Sequence, residues 1–223
     1  MCGRYANHVG AMHGWTDILT DWPSDAQLGF NIAPTQMIPA FLANGGQAMR
    51  WGLIPNWLDE PSSKFSTFNA RLATASEKPT FRHAWQSGQR CLVPALGYYE
   101  WRTESGSKQA YFVCREDQHP LVFAGLYEPA RQHVPASCTV LTRPAEGNLE
   151  PLHHAMPVML NPEHADTWFH ADPDEAQQVA WRDYGEEFIY YPVSNAVNKV
   201  ANQGAHLIEP QLTIREPQKG FDF

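Results

Sequence analysis

The amino-acid sequence predicts an α+β fold with a largely antiparallel sheet, and three observations lead there. Eighteen prolines and fifteen glycines among 223 residues indicate many turns, which is typical of short strands rather than of a helix bundle. Strand-like segments outnumber helix-like ones. They also follow one another closely, which favours antiparallel pairing. The length suits one large domain or two small ones, and no repeat, low-complexity tract or linker divides the chain.

The elements of the first 87 residues alternate between helix and strand patterns. A short amphipathic helix at 12–22 ends before Pro23, and an apolar run follows at 30–43 with a loop around Pro34 and a break at Pro39. The next strand starts at an NGG turn at 44–46 and ends near Pro55. Residues 70–87 look helical on both sides of Pro79.

Strand patterns dominate from residue 90 onward. They cover residues 90–102, 108–116, 119–129 and 137–145, with an ESGS turn after the first of them. A helix is predicted at 161–169, where Asn161 would be the N-cap and Pro162 the first helical residue.

The composition excludes several classes of protein. Charged residues make up 18% and hydrophobic residues 43%, which is ordinary for a globular protein and excludes a disordered chain. No apolar run reaches membrane-spanning length, and the start does not resemble a signal peptide. We therefore expect a cytoplasmic protein with no membrane partner.

The four cysteines fit that compartment. None forms a CxxC pair and their spacing matches no zinc module, so we expect no metal site. Cys91, Cys114 and Cys138 lie in strand-like runs, where a buried thiol acts as a small hydrophobe. Only Cys2 has an unusual chemical context.

Cys2 follows the initiator methionine, and removal of Met1 would make it the amino terminus. It would then carry an α-amine of near-neutral pKa beside a thiol. Such a 1,2-aminothiol captures aldehydes, because the amine forms an imine and the thiol closes onto it as a thiazolidine. The alternative is a small residue at a frayed end.

The charge distribution is uneven. A net charge of −8 argues against a protein that coats nucleic acid nonspecifically. Residues 61–110 nevertheless carry seven basic and three acidic side chains. This basic segment is either a local anion site or one solvated face.

Three polar residues lie at the start of or within predicted elements. Asn69 and Arg71 lie at the start of a predicted helix, where asparagine is a routine cap. Glu100 alternates with aromatic residues, so that it shares one strand face with Tyr98. A carboxylate in this setting is either a structural acid or an acid that transfers protons.

Two adjacent histidines, His153 and His154, precede a buried-looking strand. A histidine at this place suits general acid–base chemistry. Neighbouring residues of a strand point to opposite faces, so we expect that these two do not serve one metal.

The motifs together resemble a known family. They are, in order, MCGRYA, FNIAPTQ, RWGLIPNW, FNARLATASEKPTFRHAW, RCLVPALGYYEW, LVFAGLYE, CTVLTRPA, HHAMPVML and PVSNAVNKVANQGAHLI. This series is similar to that of the SOS-response-associated peptidase (SRAP) family and runs from Met1 to about Pro210, with residues 211–223 as a C-terminal tail. The resemblance implies one domain over residues 1–223, with a barrel-like antiparallel core and short peripheral helices. It also implies a monomer with no cofactor.

The resemblance implies a function in the DNA damage response. Family members act on abasic sites in single-stranded DNA, where the terminal cysteine forms a thiazolidine crosslink that shields the lesion. Cys2 matches that cysteine after removal of Met1. Asn69 and His153 match residues that position the amine and the sugar, and Glu100 matches the acid that transfers protons during imine formation and crosslink reversal.

The same resemblance implies a DNA-binding surface. Its candidate residues are Arg4 and Arg71 for the flanking phosphates, Trp51 or Trp57 as an aromatic surface, and Asn31 and Pro34. The expected partner is single-stranded DNA with abasic sites, so that the protein is nucleoid-associated when it is bound.

Two positions depart from the family pattern. Ala155 replaces an arginine that helps bind phosphate in relatives, and Leu96 replaces an aspartate. Because neither change affects the four candidate catalytic residues, we expect that the chemistry is retained while DNA binding is altered. Two alternatives stay open: a cysteine peptidase with an amino-terminal nucleophile and Glu100 or His153 as base, and a noncatalytic module for single-stranded DNA. A lyase activity is a further candidate.

Overall fold

The computed structural model describes residues 2–61, 66–182, 184–185 and 187–211. These ranges do not include Met1, Lys64 of the basic segment 61–110, or the tail beyond Gln211. Within them the strands are β1 Tyr5–Asn7, β2 Gly29–Ile32, β3 Met37–Leu42, β4 Gly45–Trp51, β5 Asn69–Arg71, β6 Arg90–Ala95, β7 Gly97–Glu104, β8 Ser107–Arg115, β9 Leu121–Glu128, β10 Ser137–Pro144, β11 Ala155–Pro157 and β12 Phe188–Pro192.

The helices are short and lie between these strands. They are α1 Leu72–Ala75, α2 Pro79–Gln86, α3 Ala165–His170 and α4 Pro173–Trp181, together with 3₁₀ turns at Val9–Ala11, Gly147–Leu149, Pro162–His164, Asn195–Asn198 and Ala205–Leu207. No helix in the described ranges is long and apolar enough to cross a bilayer.

The strands form two sheets. The first has the order β12-β8-β7-β1-β2, and its strands pair antiparallel. In the second, β10, β4, β3, β6 and β9 form a closed ring because β9 pairs back to β10. Strands β11 and β5 also pair with β10, and the β10–β4 and β10–β5 pairs are parallel. The predicted α+β domain with a barrel-like, largely antiparallel core is confirmed.

The chain passes from the ring to the other sheet at Leu96. Its backbone N–H donates to the carbonyl of Ala6, 2.8 Å away, which places the end of β6 beside β1. At the next residue, Gly97, a Cβ atom would lie 2.4 Å from the Val113 carbonyl and from the Phe112 ring. Only glycine therefore allows β7 to approach β8 this closely, and β7 in turn lies along β1 and the amino terminus.

Several local expectations are wrong. Residues 12–22 form turns rather than a helix, since Gly14 has a φ of 78°, although Met12, Trp15 and Leu19 are buried as the pattern predicts. Strand β3 continues through Pro39, which pairs with Ala48.

Other predicted boundaries also shift. The strand at 45–51 ends at Trp51 rather than near Pro55, and the strand pattern at 90–102 is two strands divided at Leu96. Asn161 occupies the predicted N-cap position, with Pro162 first in the 3₁₀ turn that leads into α3, but its side chain makes no capping hydrogen bond and instead donates to the carbonyl of Tyr184 over 3.0 Å. The hairpin turn at 105–106 agrees with the prediction, whereas the turn expected at 44–46 lies at 43–44 because β4 begins at Gly45. Two helices form within 70–87 as predicted, but residues 70–71 belong to β5.

Candidate active site

Cys2 is tied into the protein core. The residue is fully buried, and its thiol lies 3.8 Å from the carbonyl oxygen of Arg4, to which it donates. Strand β1 begins three residues later and pairs on both sides, with Tyr5 opposite Ile32 and Tyr98. The amino-terminal segment from Cys2 onward is therefore held in place, and the alternative of a frayed end is wrong.

Asn69 reaches Cys2 from the second sheet. It lies in β5, which runs parallel to β10 with Asn69 opposite Val140. Its side-chain amide donates to the Cys2 carbonyl over 2.7 Å. The predicted helix-capping role is wrong, because Arg71 occupies the N-cap position and α1 begins after it. The side chain instead fixes the position of Cys2.

Glu100 enters the same region from β7. It is buried, with 4% of its surface exposed, and its strand neighbour Tyr98 belongs to the same core cluster as Cys2. Tyr99 and Trp101 pack in a different cluster on the opposite face. The predicted sharing of one face by Glu100 and Tyr98 is thus confirmed.

His153 completes this group. Its Nδ1 lies 3.8 Å from a carboxylate oxygen of Glu100. The same nitrogen is 3.1 Å from the N–H of Ala155 and 3.0 Å from its carbonyl. Nδ1 thus has an acceptor and a donor within reach, which suits a group that takes up and releases a proton.

The two histidines lie side by side rather than on opposite faces. Their ring centroids are 4.1 Å apart with planes tilted by 36°. The expectation failed because both residues precede β11 in a turn, where the alternation of a strand does not apply. Charge on His153 is the main cause that lowers the pKa of His154. No group of three or more candidate metal ligands occurs in the part of the chain that the structure describes.

The Cys2 thiol is held in its protonated form. Burial raises the pKa of this thiol, and the nearby Glu100 charge raises it further. The thiol is consequently neutral at pH 7, even though it lies beside groups that could exchange its proton.

Two of the candidate DNA-binding residues, Arg4 and Asn31, are hydrogen-bonded to each other. Arg4 donates from Nη1 to the Asn31 side-chain oxygen over 2.6 Å and to the Val197 carbonyl over 2.7 Å. Asn31 is fully buried, and its amide donates to the carbonyls of Val197, Lys199 and Asn202. Asn31 therefore anchors the 197–202 segment, while Arg4 is half-buried and lies 5.9 Å from the Trp101 ring.

The aromatic candidates differ in exposure. Trp51 is fully buried, packs edge-on against Tyr5 and donates from its indole to the Phe68 carbonyl over 2.9 Å. Trp57 is 53% exposed. Trp51 and Pro34 line one cleft of about 480 Å³. Of the two tryptophans, Trp57 is thus the one that presents an accessible ring.

Comparisons with known proteins assign the chain to a family. The model of the family described as SOS response associated peptidase (SRAP) matches residues 1–200. The chain belongs to the SRAP family. It is 31% identical to the abasic site processing protein YoaM of Bacillus subtilis, with 95% of this chain and 99% of the relative covered. It is also 31% identical to the abasic site processing protein YedK of Escherichia coli, with 94% and 100% covered.

The fold of this SRAP protein matches a solved structure as well. A crystal structure of a protein from Bacteroides thetaiotaomicron superposes with a TM-score of 0.77 at 21% identity, covering 95% of this chain and 100% of the other. At this identity the match supports the fold alone.

Sequence reasoning missed one cavity beside the candidate site. Exposed Arg71 and His154 line a small cavity together with Arg143 and Trp181. The sequence offered a weak signal, an arginine at position 143 near the end of a strand-like run without other charged residues. The pairing of β5 with β10, which brings Arg71 to this place, could not be read from it.

Proposed function

We propose that this SRAP protein traps abasic sites in single-stranded DNA by forming a thiazolidine through Cys2. The observation that carries the proposal is the convergence of Asn69, Glu100 and His153 around Cys2, from β5, β7 and the turn before β11. The names of the relatives YoaM and YedK, both abasic site processing proteins, support the same substrate.

The chemistry begins once Met1 has been removed. The Cys2 amine adds to the aldehyde carbon of the ring-opened sugar, and a proton moves from nitrogen to oxygen to give a carbinolamine. Protonation of the hydroxyl releases one water and leaves an iminium ion, which gives up its N–H proton to become the imine. The thiol then adds across the C=N bond, sulfur to carbon and proton to nitrogen, so that one water is lost overall.

Each neighbouring residue has a part in these steps. Asn69 holds the Cys2 carbonyl and thereby orients the amine. Glu100, with His153 3.8 Å away, removes the proton from the attacking amine and returns it to the departing hydroxyl. The same pair would serve the reverse reaction, since reversal passes through the same intermediates.

Thiol protonation favours this route over peptide hydrolysis. A cysteine peptidase attacks with its thiolate, which a lowered pKa provides. Burial raises the pKa of the Cys2 thiol instead. Thiazolidine closure requires both the sulfur and a proton, and a neutral thiol supplies the two together.

Intact mass spectrometry of the protein mixed with an abasic single-stranded oligonucleotide tests the proposal. We expect that Met1 is absent and that the adduct has the summed mass less one water. Cys2→Ala keeps an α-amine, so it gives only an imine that borohydride traps. Cys114→Ala, which removes a buried cysteine outside the site, is the matched control and keeps the full adduct.

Three results would count against the proposal. An unreduced, heat-stable adduct of Cys2→Ala would show that the thiol is not needed. Retention of Met1 in cells would remove the reactive amine. Binding that depends on salt but is indifferent to the lesion and to Cys2 would point to the noncatalytic module.

A further inference from the structure

A cavity of about 160 Å³ lies at the edge of the site described above. Its lining includes Arg71, Thr142, Arg143, His154, Ala155 and Trp181. Strand pairing explains this assembly, because Arg71 of β5 lies opposite Thr142 of β10, and Ala155 of β11 lies opposite Pro144. Two arginines and an aromatic ring therefore meet beside the histidine that stacks on His153.

Two of the three guanidinium nitrogens of Arg143 are hydrogen-bonded within the described residues, and the third is not. Its Nη1 donates to the Arg182 carbonyl over 2.7 Å, and its Nη2 pairs with Glu146. The side chain is only 9% exposed, and its buried Nε has no hydrogen-bond partner among the described residues. A buried donor without a partner costs free energy, and Arg143 lines the cavity, so an acceptor that reached its Nε would be favoured.

Trp181 covers the same guanidinium. The centre of the Arg143 guanidinium lies 5.5 Å from the Trp181 ring centroid, and the indole is 37% exposed at the end of α4. An exposed ring beside a cation is the combination that binds unpaired bases and the adjacent phosphates of a single strand.

Ala155 leaves the space for this ligand. Its side chain ends at Cβ, whereas the family pattern given in the sequence analysis has an arginine there. A longer side chain at position 155 would project into the cavity. Arg143 lines the same cavity from the neighbouring strand, β10, where it pairs with Met156 of β11.

We infer that Arg143 and Trp181 extend the DNA-binding surface, with Arg143 binding a backbone phosphate next to Arg71 and Trp181 stacking on a base. The inference rests on the proposed function, since it takes the same DNA strand as ligand. Glu146 is 52% exposed and competes with the phosphate for Arg143, so its carboxylate swings out when DNA binds.

Fluorescence anisotropy with an intact single-stranded oligonucleotide tests this surface without the crosslink. We expect that Arg143→Gln binds at least about fivefold more weakly and that its salt slope falls by about 0.7, the value for one phosphate contact on a single strand. Trp181→Ala weakens binding about tenfold through lost stacking. Arg82→Gln, a loss of the same charge on the exposed face of α2, is the control and binds as the parent does.

Two further variants keep the test decisive if Arg143→Gln fails to fold. Glu146→Gln frees Arg143 and should tighten binding about two- to threefold, which corresponds to the energy of one weak ion pair. Glu209→Gln removes the same charge from an exposed position away from the cavity and should leave the affinity unchanged. Equal affinities of Arg143→Gln and Arg82→Gln, or of Glu146→Gln and Glu209→Gln, would overturn the inference.

The outcome is separable from that of the proposed function. The control Arg82→Gln gives the full Cys2-dependent adduct with an abasic strand. A Cys2-dependent adduct together with unchanged affinities of Arg143→Gln and Glu146→Gln would overturn the surface and leave the crosslinking proposal standing. If the adduct proves independent of Cys2 while the affinity changes appear, the surface stands and the crosslinking proposal falls.

Discussion

The side-chain amide of Asn69 donates a 2.7 Å hydrogen bond to the backbone carbonyl of Cys2, which lies 67 positions earlier in the chain. This contact joins β5, which pairs with β10 of the closed ring, to the segment that leads into β1 of the other sheet. It fixes the peptide of the proposed nucleophilic residue without using either its amine or its thiol.

The first prediction concerns this hydrogen bond. Asn69→Ala removes it, so we expect a loss of about 1 kcal/mol in unfolding free energy and adduct formation slowed by roughly tenfold, because the amine is less well oriented. Single-turnover rates and denaturant titrations measure the two effects. Asn161→Ala removes a comparable amide bond, to Tyr184, and should lower stability alone. Equal rates for both variants would falsify the positioning role.

The second prediction concerns Glu100. Glu100→Gln keeps the shape but cannot exchange a proton, so adduct formation and reversal should both slow by about 100-fold. The pKa of the Cys2 thiol should fall, since the Glu100 charge helps to raise it. Glu128→Gln is the control, because Glu128 is also buried and pairs with His83 over 2.9 Å. A rate loss shared by both variants would assign the effect to packing rather than to proton transfer.

Local sequence signals predicted the hairpins of this fold. Ser105 and Gly106, with φ of 47° and 83°, form the tight turn that the ESGS sequence indicates. The alternation of residue types around Glu100 likewise predicted that it shares a strand face with Tyr98, because the two-residue period of side-chain direction is a property of the strand backbone itself. Such features depend on neighbours in the chain and can be read from it.

The parallel pairing of β5 with β10 could not be read in this way. Asn69 looked like a helix cap because asparagine commonly serves there, and nothing nearby in the sequence reveals that its partner is Cys2. Local patterns also missed the left-handed Gly14 that breaks the helix expected at 12–22. The candidate residues were known through family resemblance, while their geometry required the tertiary structure.

The third prediction concerns Asn31 as an anchor. Asn31→Ala removes its amide bonds to the carbonyls of Val197, Lys199 and Asn202 and the acceptor for Arg4. We expect a loss of about 3 kcal/mol, or a fall in Tm on the order of 10 °C. Gln27→Ala loses one exposed bond to Leu28 and should leave the Tm nearly unchanged. A small effect at Asn31 would show that the segment is held by other contacts.

The fourth prediction concerns His154 and pH. Charge on His153 is the main cause that lowers the pKa of the exposed His154 side chain in the native state. The unfolded chain therefore binds this proton more readily, so stability falls as the pH drops below about 6.5. NMR titration should show a higher pKa for His154 in His153→Asn, and again when a DNA phosphate enters the cavity. An unchanged titration in His153→Asn would exclude the charge of His153 as the cause.

The last prediction separates the two tryptophans. Trp57 is 53% exposed in a loop that Arg131 holds through the Pro55 carbonyl, 2.7 Å away, whereas Trp51 is fully buried. Trp57→Ala should weaken binding of single-stranded DNA by about 1–3 kcal/mol and change stability by less than about 0.5 kcal/mol. Trp51→Ala should destabilise the fold by about 3–5 kcal/mol, because it leaves a cavity beside Tyr5. Anisotropy and thermal unfolding of both variants measure these effects. Normal DNA affinity of Trp57→Ala would remove this ring from the binding surface, whatever Trp51 does.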